Sequence, residues 1–197
     1  MVHNVAVDDF RFAPLRSSDF PILTTWFAEP HVAAWWREPS DPVSVEQNYG
    51  PLADGLDRTE GFIVHLEDRP IGYVQRYLID ENRDWQKTIH GASGRTGGIG
   101  IDYVIGEPDL VGKGIGRRMI SEFVKTSWER YPSMKQTVVA LQQDNLASWK
   151  ALEAVGFRRV WSGDLVSSDP SDRGPSFIYV LDRGGDGLSP SPGQSPA

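Results

Sequence analysis

The chain has 197 residues, a formal net charge of −7 from 27 acidic and 20 basic residues, 39% hydrophobic and 24% charged content, and no cysteine. That length and balance suit one globular domain, and the missing thiols exclude disulfides, thiolate metal sites and a cysteine nucleophile. An acidic surface opposes binding to nucleic acid or anionic membrane and favours small cations as partners.

No apolar run approaches the roughly 18 residues of a membrane span. The opening MVHNVAVDDF has no basic region leading into an apolar stretch, so no secretory signal is expected. A cytoplasmic enzyme acting as a monomer or homodimer is the expectation.

Phe10–Arg16 reads as a strand, and Ser17-Ser18-Asp19 as a cap for a helix over Phe20–Ala28. A short helix follows at His31–Trp36. Ser40-Asp41-Pro42 starts another that runs to about Gly55, with proline in its first turn. Gly61–Leu66 and Ile71–Ile79 form a hairpin about Glu67-Asp68-Arg69-Pro70. The polar, glycine-containing stretch Asp80–Gly98 is expected to be a long loop.

Ile99–Ile105 returns to strand, and a long helix is expected from Gly112 to Arg130. Its stripe is Ile115, Met119, Ile120, Phe123, Val124 and Trp128. Thr137–Leu141 is a strand, and Asn145–Val155 is a helix stopped by Gly156. Phe157–Val166 and Phe177–Leu181 are the last strands. The domain is expected over residues 1–183, with a disordered Gly/Ser/Pro-rich tail over 184–197.

Val111-Gly112-Lys113-Gly114-Ile115-Gly116-Arg117-Arg118 joins a strand to an amphipathic helix. Glycines let the backbone approach a bulky anion, and a helix start adds unpaired N–H groups and partial positive charge. A pyrophosphate suits such a loop. A Walker A loop needs Ser or Thr after Gly-Lys, where Gly114 stands. A dinucleotide fingerprint needs G-x-G-x-x-G, and this loop is G-x-G-x-G.

The order of strand, glycine loop, long helix, strand, Asn-led helix and Gly-Phe resembles the GCN5-related N-acetyltransferase superfamily. Asn145-Leu146-Ala147-Ser148-Trp149-Lys150-Ala151-Leu152-Glu153-Ala154-Val155-Gly156-Phe157 is similar to its N-x-x-A-x-x-x-Y-x-x-x-G-F segment. Within it, His31–Trp36, Val45–Tyr49, Pro70–Gln75 and Gly100-Ile101-Asp102 resemble the type Ib aminoglycoside 6'-N-acetyltransferases, and the related siderophore lysine N-acyltransferases share much of that pattern.

The resemblance implies a mixed α/β (α+β) fold with a central, mostly antiparallel twisted sheet flanked by helices. It also implies acetyl-CoA or another acyl-CoA as cofactor. The cofactor would be held by Val104, Ile105, Val111, Gly112, Lys113, Gly114, Ile115, Gly116, Arg117, Asn145 and Ser148. Val111 replaces the family's usual Arg or Gln, which removes one polar group and leaves the backbone cradle.

On the acceptor side, Trp36, Tyr49, Tyr73 and Trp85 offer flat faces for a sugar ring or ammonium. Trp35, Tyr77 and Tyr103 add further aromatic faces, and Asp80, Glu81, Asp84 and Asp102 supply counter-charges. Aromatic residues of this kind also serve as ordinary core. Asp102 differs, because a carboxylate inside the apolar strand Ile99–Ile105 needs a partner or a task.

The mechanism implied is direct attack of an amine on the thioester, with Asp102 anchoring the ammonium and helping remove its proton. The motif tyrosine that would protonate the departing thiolate falls at Leu152, which leaves a slow reaction or another donor such as Tyr103. His3, His31, His65 and His90 show no metal-ligand spacing, and Gly91-Ala92-Ser93-Gly94 is no nucleophile elbow. The alternatives are a lysine N-acyltransferase using longer acyl chains, and a binding module that keeps acyl-CoA without catalysis.

Overall fold

The computed structural model describes residues 10–167 and 172–184; the expected tail, apart from Gly184, lies outside the described residues. Strands β1 (Phe10–Pro14), β2 (Glu60–Leu66), β3 (Arg69–Leu78), β4 (Ile99–Ile105), β5 (Gln136–Gln142), β6 (Arg158–Leu165) and β7 (Gly174–Asp182) build one seven-stranded sheet in the order β1-β2-β3-β4-β5-β7-β6. Every neighbouring pair is antiparallel except β4 and β5. The sheet is therefore mixed and mostly antiparallel.

The helices are α1 (Phe20–Ala28), α2 (Pro30–Trp36), α3 (Pro42–Ala53), α4 (Arg83–Ser93), α5 (Ile115–Arg130) and α6 (Leu146–Val155). Alternation along β3 and β4 sends successive side chains to opposite faces. Val74, Ile99 and Ile101 meet Met119, Ile120, Phe123 and Val124 of α5 and Leu152 of α6. Each such side chain fully buried contributes about 1.5–3 kcal/mol.

On the other face Tyr73 and Ile63 pack against Leu23, Trp26, Phe27, Val45 and Tyr49 of α1 and α3. Further along that face, Ile89 of α4 packs with Val138, Leu165, Ile178 and Val180. This face is thus covered by separate patches, α1–α3 toward β2–β4 and α4 toward β5–β7.

The stretch 80–98, expected to be a loop, contains α4. Asn82 caps it, its Oδ1 accepting from Trp85 N at 3.1 Å, and Gly94 ends it at φ 69°. Trp85, Ile89 and Ala92 face that third apolar patch at helical spacing, a short stripe obscured in sequence by polar neighbours and the interior Gly91. The long helix starts at Ile115 rather than Gly112, because Gly112 (φ 77°) and Gly114 (φ 76°) adopt left-handed backbone that no right-handed helix can include.

Candidate active site

The parallel pairing of β4 with β5 covers only Ile99 with Thr137 and Gly100 with Val138. Meanwhile β4 stays paired with β3 as far as Ile105, and β5 with β7 as far as Gln142. Beyond Gly100 the two strands diverge and their backbones no longer pair with each other, which leaves a strand edge that can bind an extended chain. A cleft of about 1220 Å³ opens there, lined by Asp102, Tyr103, Val104 and Ile105 on one side and by Val139, Ala140, Leu141 and Gln142 on the other.

At one end of the cleft lie Val111, Gly112, Gly114, Gly116 and Arg117. No side chain caps α5; Gly114 holds the N-cap position, so the first turn presents its N–H groups to whatever enters. This is a fitting seat for a pyrophosphate. The loop is anchored from behind by Arg69, which donates to both Glu107 and Asp109 just ahead of it. Those bonds hold the Asp109 carboxyl below its ordinary range; the Glu107 carboxyl is lowered first by its bond from Trp26 and then by Arg69.

Among the expected cofactor residues, Lys113 does not line the cleft and instead lies near Asp109. Ile115 turns its side chain into the core at 7% exposure, leaving only its backbone at the helix start. Asn145 and Ser148 do line the cleft, with Asn145 Oδ1 accepting from Ser148 N at 3.2 Å to cap α6.

Asp102 lies on the face of the sheet that carries Tyr73 and Gln75. Gln75 Nε2 donates to Asp102 Oδ2 at 2.9 Å, and Tyr73 Oη donates to Gln75 Oε1 at 2.9 Å. Burial raises the Asp102 carboxyl from 3.8 to about 7, the Gln75 bond works against that rise, and Asp172 and Glu38 add to it. A carboxyl titrating near 7 is a far better base toward an ammonium than an ordinary aspartate.

Tyr103, next in the strand, faces α5 and α6. Its Oη lies 2.7 Å from Ser148 Oγ. Burial holds the phenol proton on well beyond the ordinary tyrosine range, with the Ser148 bond opposing.

The other end of the cleft is rich in carboxylates: Glu38, Asp57, Glu81, Asp84, Asp102 and Asp172 line it, with Arg58 and Arg83 among them. Trp36 and Trp85 line it too. Tyr49 and Tyr73, expected to contact substrate, do not; they are 3% and 0% exposed and belong to the core. Packing between α1–α3 and the sheet takes both rings, so they act from behind the wall. Tyr49 Oη accepts from Trp36 Nε1 at 2.8 Å and donates to Glu38 Oε2 at 2.8 Å, fixing two groups that do line the cleft.

Asp80 likewise turns aside to accept from Gln86 at 2.7 Å. Gln75 and His31 stood in the resembling segments Pro70–Gln75 and His31–Trp36 without being singled out as site residues, and Glu38, Asp57 and Asp172 carried no sequence signal. His31 Nε2 meets Ile105 O at 2.9 Å and Gln142 Nε2 donates to Trp35 O at 3.4 Å, so α2 is tied to both sides of the split.

The chain is similar to aminoglycoside N(6')-acetyltransferase type 1 of Klebsiella pneumoniae, with 25% identity over 174 residues that cover 86% of this chain and 81% of that protein. Among solved structures, the fold is similar to aminoglycoside acetyltransferase AAC(6')-Ib in complex with coenzyme A and kanamycin (TM-score 0.71, 22% identity, 89% of this chain and 95% of that one). It is also similar to the aminoglycoside N(6')-acetyltransferase of Legionella pneumophila (TM-score 0.66, 19% identity, 88% and 91%). The acetyltransferase (GNAT) domain family model matches residues 16–165, and with a split sheet and a glycine loop opening into one cleft, the chain belongs to that family.

Proposed function

We propose that this protein transfers the acetyl group of acetyl-CoA to a primary amine of a polycationic, aminoglycoside-like acceptor by direct attack. The observation that carries the reading is one continuous cleft. It runs from the uncapped start of α5, along the open edge of β4, to Asp102 and a carboxylate-rich mouth. The loop end suits the pyrophosphate of coenzyme A, the open strand edge suits its extended amide-bearing arm, and the mouth suits several ammonium groups at once.

In this reading Asp102 holds the reacting ammonium and takes its proton, which frees the nitrogen lone pair. A backbone N–H of the β4 edge near Val104 or Ile105 polarises the thioester carbonyl. The names of the similar proteins support an aminoglycoside acceptor. The cysteine-free, acidic composition supports a cytoplasmic setting.

The test is an acetyl-CoA-dependent thiol-release screen with aminoglycosides and small lysine derivatives, followed by mass spectrometry of the products. Acetylation of an aminoglycoside amine is expected; transfer to lysine derivatives alone would overturn the acceptor assignment. A second reading, a lysine N-acyltransferase using longer chains, draws on Val139, Leu141, Ile120 and Ala151 along the cleft. A panel of acyl-CoA chain lengths separates the two.

A further inference from the structure

A thiolate that departs inside the β4–β5 split needs a hydrogen-bond donor there. Leu152, at the position of the motif tyrosine, is fully buried in the core and offers none. The neighbouring departure from the motif is Ser148, which stands at its alanine. That hydroxyl is 2.7 Å from Tyr103 Oη, and both residues line the cleft. The two departures therefore sit one helical turn apart on α6, and the hydroxyl gained meets a phenol from the strand opposite.

We propose that Tyr103, oriented by Ser148, is the catalytic residue that donates a hydrogen bond to the coenzyme A sulfur as the thioester breaks. The proposal rests on the acetyl-transfer reading above. Either hydroxyl can be the donor in the Tyr103–Ser148 pair. With Ser148 donating to Tyr103 Oη, the phenol proton is free to point into the cleft. Asp102 occupies the opposite face of the same strand, so base and donor flank the thioester from two sides without competing for one space.

The chemistry balances as follows. The nitrogen–carbon bond forms, and the carbon–sulfur bond breaks with its electron pair on sulfur. An ammonium acceptor sheds two protons. The first goes to Asp102 and on to water, and the second goes to water as the tetrahedral adduct collapses. The thiolate, stabilised by the Tyr103 hydroxyl, takes one proton back from water. The sum is one amide, one thiol and one proton released.

The experiment has two arms on the full chain. In the kinetic arm, Tyr103→Phe lowers kcat roughly 10- to 100-fold, the effect of one hydrogen bond to a charged group, and Ser148→Ala lowers it about fivefold by the loss of orientation. In the binding arm, calorimetry at pH 9, where a fraction of the coenzyme A thiol is ionised, compares coenzyme A with desulfo-coenzyme A. Wild type binds coenzyme A more tightly, and Tyr103→Phe erases that preference while its affinity for desulfo-coenzyme A stays within twofold.

A purely structural role weakens both ligands equally and overturns the proposal, as does a kcat within twofold of wild type. Should none of the amine acceptors tested support thiol release by wild type, the acetyl-transfer reading falls. The binding arm still decides whether Tyr103 contacts the sulfur. If Tyr103→Phe fails to fold, 3-fluorotyrosine at position 103, a more acidic donor of nearly the same shape, must strengthen the preference for coenzyme A; an unchanged preference overturns the proposal.

Discussion

Gln75 and Asp102 are directly opposed across β3 and β4, and the Gln75 amide N–H donates to the carboxylate at 2.9 Å. The ionised carboxylate can only accept, so it takes the amide N–H, and Gln75 Oε1 is left to accept from the Tyr73 hydroxyl, which lies deep in the core. A core tyrosine thus supports the amide that meets Asp102 at the cleft. The bond favours the charged carboxylate, against burial that favours the neutral acid.

With the carboxyl raised to about 7, kcat/KM is expected to climb as pH rises through that value, since the base must be ionised. Gln75→Leu removes the bond that lowers it, so the rising limb moves to higher pH, by about one pH unit for a bond of about 1–1.5 kcal/mol. Tyr73→Phe moves it less, because the amide remains but is free to turn. Identical pH profiles for Gln75→Leu and wild type would remove Gln75 from the machinery.

Asp102→Asn is expected to lower kcat by at least about 100-fold, the lower end for a lost general base, with coenzyme A affinity within twofold. Stability gives a second, independent sign. A carboxyl raised from 3.8 to about 7 on folding contributes stability that is full below 3.8 and is lost as pH rises through about 7. Asparagine escapes that loss. The variant's stability should therefore exceed that of wild type by more at pH 8 than at pH 5, with a difference on the order of 2–3 kcal/mol, at about 1.4 kcal/mol for each of the two pH units between pH 5 and about 7. A larger advantage at pH 5 would contradict the burial argument.

Gly112 has left-handed backbone at φ 77° and open space where a Cβ would go. Gly112→Val therefore costs stability only through strain, about 1–2 kcal/mol, yet places a side chain in the seat proposed for the phosphates. At least a tenfold rise in the dissociation constant for coenzyme A is expected by calorimetry, with little change for a pantetheine fragment that lacks the pyrophosphate. Equal weakening of both would move the phosphate site elsewhere.

Arg69 holds the turn ahead of the glycine loop through Glu107 and Asp109. All of these atoms are outside the cleft lining, so Arg69→Ala acts by loosening the loop. Coenzyme A affinity should fall about two- to fivefold with kcat at saturation retained, since exposed ion pairs contribute little. A kcat loss equal to the affinity loss would argue for a wider collapse.

The carboxylates at the mouth should draw a polycation over distance. The acceptor KM is then expected to rise several-fold between about 50 and 500 mM salt, while that of acetyl-CoA changes in a different manner, since salt screens exposed charges beyond about 10 Å. An acceptor KM independent of salt would speak against a polycationic substrate.

Periodicity and punctuation alone determined most elements here, because they depend on local chemistry. The α5 stripe, the helix led by Asn145, the Gly156 stop and the β2–β3 hairpin were all legible residue by residue. So were Asp102, which stood out as a charge in an apolar strand, and the glycine loop, whose backbone needs no side chain to declare it. Helix α4 was not, because its apolar contacts are few and form only where β5–β7 come beneath it.

What tertiary structure decided is which aromatic rings face the cleft and which fill the core. Trp36 and Tyr49 look alike in sequence, but packing of α3 on α1 buries Tyr49 and leaves Trp36 at the wall. It likewise decided where β4 and β5 part, and that Gln75, Glu38 and Asp172, 134 positions apart at the extremes (172 − 38), gather around one carboxylate. Those relations arise from distances between segments far apart in the chain, and no local pattern encodes a distance of that kind.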